Sequence, residues 1–144
     1  MNTHKINWIN AIIGGILGTL AFDLVGFAFT GQFWDIAGLL GEKTGLGFAY
    51  GLFGHYSNGI LLAVLYAGIA PSLIGPNWLR TLVFVTAETI ALVWFFMFPL
   101  LGGGIAGAEM SEIIPVLSMV RHWAYGIPLW YFVHQYHQQS LAVQ

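Results

Sequence analysis

The sequence predicts an all-α integral membrane protein, an up-down bundle of four transmembrane helices in a single domain spanning residues 1–144. Composition is the first observation behind this: 58% of the 144 residues are hydrophobic and only 7% are charged. Soluble domains carry about 25% charged residues. Four basic and six acidic side chains cannot cover the surface of a soluble protein of this length. The second observation is that the apolar residues collect in four stretches, each at or above the roughly 20 residues that a bilayer crossing needs. The third is the abundance of glycine and aromatics, 19 residues and 16%. Small residues let membrane helices approach closely, and aromatics populate the interfaces.

The first stretch, 6–30, is too long for the core of a signal peptide and has no convincing small-residue cleavage site after it, so it reads as a helix. Gly31-Gln32 and Gly41-Glu42-Lys43-Thr44-Gly45 mark the connection to the second, 46–70. Pro71–Asn77, with Gly75-Pro76, separates that stretch from the third, 79–101. Gly102-Gly103-Gly104 opens the last connection, and Ser111 followed by Pro115 is a start signal for the fourth helix, 113–136. Trp8, Trp34, Trp78, Trp130 and Tyr136 fall near the proposed ends, as an aromatic belt does.

Few charges orient the bundle. Lys5 and Arg80 fall on one side, and Lys43 falls on the other with Asp35, Glu42, Glu109 and Glu112. The positive-inside rule then expects both termini in the cytoplasm of a bacterial-type cytoplasmic membrane. A net charge of −2 argues against a nucleic-acid partner, and the absence of cysteine excludes disulfides, thiolate ligands and cysteine nucleophiles.

A phrase recurs between the second and fourth stretches. His55-Tyr56, Gly59-Ile60 and Leu62 return 67 residues later as His122-Trp123, Gly126-Ile127 and Leu129. Asp23 and Glu88 lie 65 residues apart, so the other two helices can form the second half of the repeat. Two duplicated helical hairpins of like orientation are an established membrane architecture.

Asp23, His55, Glu88 and His122 carry the functional signal, because each sits inside a different apolar stretch. An ionisable side chain at mid-membrane costs about 2.5–3.5 kcal/mol even on insertion scales, so it marks function by default. Counting inward at 1.5 Å per residue, Asp23 lies about 10 Å from the outer surface, the two histidines about 13 Å and Glu88 about 20 Å. Two imidazoles and two carboxylates suit zinc or iron, and four-helix bundles build such centres from inward side chains. The expected function is therefore metal binding through His55, His122, Asp23 and Glu88, with Arg121 beside them, in a membrane metalloenzyme acting on a lipophilic substrate. The paired Glu-x-x-His of ferritin-like di-iron proteins is absent.

Alternatives stand beside this reading. His55 and His122 on diagonal helices are placed to ligate a haem b, with Gly59 and Gly126 leaving room for the macrocycle and Arg121 pairing a propionate. That arrangement is similar to the bis-histidine haem of membrane b-type cytochromes, but Asp23 and Glu88 have no task in it. Intramembrane acids and histidines are also the parts of proton or cation relays. Plain Asp–His and Glu–His staples in a structural or accessory subunit are the bland counterpart.

Gly14-x-x-x-Gly18 offers a close-packing face for another helix, of this chain, of a second copy in a homo-oligomer, or of a membrane partner. His134 and His137 can share a metal but are more simply solvated at the interface. Glu109 and Glu112 read as a solvated loop able to fold over the outer mouth of the site. No phosphate loop, Gly-x-Ser-x-Gly elbow or His-Glu-x-x-His occurs.

Overall fold

The computed structural model describes residues 6–142, and side chains as far as residue 134. Lys5, one of the charges behind the expected orientation, and the side chains of Tyr136 and His137 lie outside the described residues. The fold is all-helical, with no strand among the described residues. Helix α1, Trp8–Thr30, starts at Asn7, whose side chain accepts the Asn10 amide at 3.0 Å. It stops at Gly31, which takes a left-handed φ of 70° and returns its N–H to Phe27. Helix α3 runs Gly47–Ile69 and tightens into a 3-10 turn at Ala70–Ser72 where Pro71 intervenes. Helix α4, Asn77–Leu100, follows Pro76 and is α-helical to Glu88. It widens into a π-helix over Thr89–Met97 and regains α geometry for Phe98–Leu100. Helix α5 covers Ile114–Ala142 with Pro128 inside it.

Trp8–Thr30, Gly47–Ser72 and Asn77–Leu100 are long and apolar enough to cross a membrane. Helix α5 reaches 29 residues and runs past the expected end at 136, yet it is not among these three. Arg121, His122 and His134 dilute its apolar residues.

The connection around residues 32–45, expected to be a loop, contains a fifth helix. This is α2, Asp35–Thr44, which packs flat on the start of α3. Glycines make the contact possible. A Cβ on Gly51 would overlap the Ala37 carbonyl, and one on Gly41 would strike the Gly47 carbonyl. Two glycines inside a ten-residue helix weaken its intrinsic propensity, which is why its sequence reads as a turn.

Helix α1 is the spine. Its Gly14 and Gly18 receive α5 at the Pro128–Phe132 backbone and the Tyr125 ring, and Gly15 receives α3 at Gly59 and Ile60. The close-packing face is thus filled from within the chain. Asn10 adds a hydrogen bond to the Phe132 carbonyl at 3.2 Å. Helix α4 packs on α5, so the long helices run in the order α3, α1, α5, α4. The core lies between them at Phe22, Leu62, Tyr66, Val85, Tyr125 and Leu129. Toward the end bearing α2, α3 and α4 stand apart, and a cavity opens there.

Candidate functional site

Asp23 is wholly buried on α1 and faces α3. Its Oδ1 accepts from His55 Nε2 at 2.9 Å, and its Oδ2 accepts from the Tyr56 hydroxyl at 3.1 Å. Trp34 Nε1 reaches the same hydroxyl at 3.4 Å. A carboxylate that takes one nitrogen of an imidazole fixes both the tautomer and the ring plane. With Nε2 committed to Asp23, Nδ1 is the nitrogen of His55 left open.

A second pair lies across the bundle. His122 Nδ1 stands 2.7 Å from the Ser118 carbonyl. A carbonyl only accepts, so that nitrogen carries the proton and Nε2 presents a lone pair. Nε2 lies 3.7 Å from Glu88 Oε2, beyond hydrogen-bonding distance. Ser118 is held in turn, because its hydroxyl accepts from Trp94 Nε1 and donates to the Pro115 carbonyl, both at 2.9 Å.

The Phe22 ring packs against both histidines in T-shaped contacts, with centroids 5.4 Å from His55 and 5.0 Å from His122. The four predicted residues therefore form two pairs and not one cluster. Among the described residues, no three His, Asp or Glu side chains converge to hold a metal ion. Phe22 packs against both imidazoles, a Cβ on Gly59 would meet Thr19, and Gly126 faces Val85 at ordinary contact distance.

Arg121 was expected beside the site carboxylates or a propionate. It instead makes a two-pronged bond to Asp35 at the start of α2, with Nη1–Oδ1 at 3.0 Å and Nη2–Oδ2 at 2.6 Å. Gly26 has no side chain where the guanidinium lies, and Phe22 sits beneath the guanidinium carbon at 5.2 Å. Trp34 aims Asp35 inward from an uncommon left-handed backbone, φ 60°. The rings of Phe33 and Phe48 pack against that tryptophan.

These groups converge on a cavity of about 650 Å³, within the range of about 300–1,000 Å³ for small-molecule sites. Helix α3 and the π-helical part of α4 form its walls, α2 covers it, and Phe22 with α5 closes its back. His55, His122, Glu88, Asp35 and Arg121 all reach its lining, whereas Leu62, Leu92, Val93 and Phe96 make the walls apolar. Glu109 and Glu112 are exposed and do not fold over it.

Sequence reasoning named Asp23, His55, Glu88, His122 and Arg121, and all except Asp23 line the cavity. It missed Asp35, Tyr56, Phe22 and Ser118. Asp35 carries a signal, as the acid nearest the first helix end, but its place between two apolar stretches reads as a loop. His134 was read as solvated at the interface. Its side chain is buried and bonds the Tyr66 hydroxyl at 2.7 Å, and that hydroxyl also meets Thr81 Oγ1 at 2.6 Å. Compared with known protein families, curated proteins and solved structures, the chain matches none.

Proposed function

We propose that this chain is an integral membrane protein with four membrane helices, α1, α3, α4 and α5, that admits a lipophilic molecule between α3 and α4. It holds the polar end of that molecule against His55, His122 and Glu88. The observation that carries this reading is the joining of apolar walls to oriented imidazoles in one cavity of about 650 Å³. A mostly apolar pocket with a few convergent polar groups is the usual form of a small-molecule site. The exposed aromatic and aliphatic surface supports membrane integration, with Phe53 71%, Leu61 67% and Leu100 70% exposed. Pairing of each carboxylate with the histidine of its own hairpin, Asp23 with His55 and Glu88 with His122, supports duplication of a hairpin.

A cavity block tests the reading. Gly54 lines the cavity and an added Cβ there meets nothing within 4 Å, so Gly54→Phe is expected to put its ring into the cavity. Purified protein is stripped of lipid, exposed to a membrane lipid extract and examined by native mass spectrometry. The unaltered chain is expected to retain a molecule that Gly54→Phe does not. Equal retention by both, with the variant folded by circular dichroism, would defeat the proposal.

One observation favours a metal as a second reading. The 3.7 Å between His122 Nε2 and Glu88 Oε2 suits a cation held by bonds of about 2.0–2.2 Å to each. Zinc or iron there would take two ligands from the protein and the rest from water or the bound molecule. Stoichiometric metal lost in both His122→Ala and Glu88→Gln supports it, and metal-free protein that still retains its lipophilic ligand rejects it.

A further inference from the structure

Most of the donors that line the cavity are already committed, and its free groups are chiefly acceptors. Thr19, Thr30 and Thr44 each donate their hydroxyl to the backbone carbonyl four residues earlier, at 2.8, 3.0 and 2.8 Å. Ser118 donates to Pro115, and Tyr125 donates to the Gly59 carbonyl at 2.7 Å. Arg121 directs both terminal nitrogens to Asp35. The donors left are Tyr50 and Asn58, at exposed positions on α3, and Arg121 Nε, which is buried without a partner. The acceptors left inside are the Nε2 lone pair of His122, the open Nδ1 of His55 and the Glu88 carboxyl, which is only 7% exposed.

Formal charge points the same way. The Arg121 guanidinium is matched to Asp35. Asp23 and Glu88 each face an imidazole, His55 at 2.9 Å and His122 at 3.7 Å, and the His122 nitrogen turned to Glu88 carries a lone pair. An unbalanced carboxylate in an apolar cavity is costly, and a cation placed beside it removes that cost.

Resting on the cavity reading above, we infer that the ligand is a lipophilic amine: one apolar chain bearing a protonated amino head that donates to His122 Nε2 and Glu88. The chain lies along Leu92, Val93 and Phe96. A carboxylate or phosphate head meets the Glu88 carboxylate as like charge and has no proton to give to His122 Nε2. An alcohol satisfies the acceptors but leaves the charge unbalanced. A quaternary ammonium balances the charge but donates nothing.

Four molecules with the same twelve-carbon chain separate these cases: dodecylamine, dodecanol, dodecanoic acid and dodecyltrimethylammonium. Each is added to delipidated protein at one detergent concentration, and Tm is read from tryptophan fluorescence, with Gly54→Phe treated in parallel. Dodecylamine is expected to raise Tm by about 5 °C or more at saturation, above each of the other three. The rise should vanish in Gly54→Phe and fall below half in Glu88→Gln. Any order in which the amine is not first overturns the inference while leaving the cavity reading intact. Dodecanoic acid in first place would mean that the imidazoles act as protonated donors. Four shifts of the same size, all lost in Gly54→Phe, would show that the head is not read and also overturn it. Shifts that Gly54→Phe leaves unchanged defeat the cavity reading itself.

Discussion

Arg121 on α5 and Asp35 on α2 are 86 residues apart and meet through two parallel hydrogen bonds, the paired geometry in which a guanidinium holds a carboxylate. The bond fixes α2 over the cavity, because the glycine contacts of α2 otherwise reach only α3. Loss of either partner loosens the cover as well as unbalancing a charge.

The two losses are unequal. The Arg121 side chain is 4% exposed and that of Asp35 is 20%. Asp35→Asn strands a buried guanidinium, whereas Arg121→Met leaves a carboxylate that water can reach. Breaking a buried pair from one side costs about 3–5 kcal/mol, and Asp35→Asn should approach that range while Arg121→Met falls well below it. Thermal unfolding of both variants in one detergent gives the order. Equal losses would mean that Asp35 is as dry as its partner.

Tyr56 should matter through Asp23. Its hydroxyl is one of two donors to a wholly buried carboxylate. Tyr56→Phe leaves Oδ2 without that donor, and an unsatisfied buried acceptor costs about 1–3 kcal/mol. Tyr50→Phe on the same helix, at an exposed position, should change stability by less than about 0.5 kcal/mol. Similar losses in the two variants would detach Tyr56 from the Asp23–His55 pair.

The buried triad at the other end of the bundle gives a third outcome. Tyr66 is fully buried and its hydroxyl joins Thr81 to His134. Tyr66→Phe keeps the ring packing against Phe84, 5.0 Å away, and removes only the hydroxyl. Unfolding should show a loss of about 1–3 kcal/mol, and Thr81→Val combined with Tyr66→Phe should cost less than the sum of the two single changes. Strict additivity would mean that the hydroxyls do not act together.

Which parts of this architecture the sequence revealed follows from where each signal resides. Trp8–Thr30, Gly47–Ile69 and Asn77–Leu100 were legible to within about two residues, because hydropathy and glycine or proline punctuation are local. Asp23, His55, Glu88 and His122 were legible because charge is conspicuous in apolar sequence. Helix α2 was not, since it depends on Gly51 and Gly41 admitting a backbone from another segment. Arg121 could not be assigned its partner until α2 had folded back to bring Asp35 over the cavity. Phe22, which packs against both histidines, is indistinguishable in sequence from the ten other phenylalanines. The π-helical stretch after Glu88 ends just before Pro99, which cannot donate to the helical ladder, but nothing in the sequence marks where it begins.

Gly59 and Gly126 occupy matching places in the repeated phrase, each four residues after a histidine, yet their surroundings differ. A Cβ on Gly59 would overlap Thr19 Oγ1 and come within 3.3 Å of the Gly15 carbonyl, so α1 and α3 cross there with backbones nearly touching. A Cβ on Gly126 would meet the Val85 methyls at 3.4 Å, which is ordinary contact. Gly59→Ala should therefore cost about 1–3 kcal/mol through overpacking. Gly126→Ala should be neutral or gain up to about 1 kcal/mol from helix propensity. The obstacle at Gly59 is chiefly one oxygen, and that oxygen belongs to a side chain whose hydrogen bond ends on its own helix. Thr19→Ala in combination with Gly59→Ala removes the obstacle and leaves no buried donor behind. The double variant should thus melt above the Gly59→Ala single. If it melts no higher, the carbonyl of Gly15 and not the threonine sets the spacing of α1 and α3. If Gly126→Ala is as damaging as Gly59→Ala, the two hairpins are packed alike and the asymmetry drawn here between them is wrong.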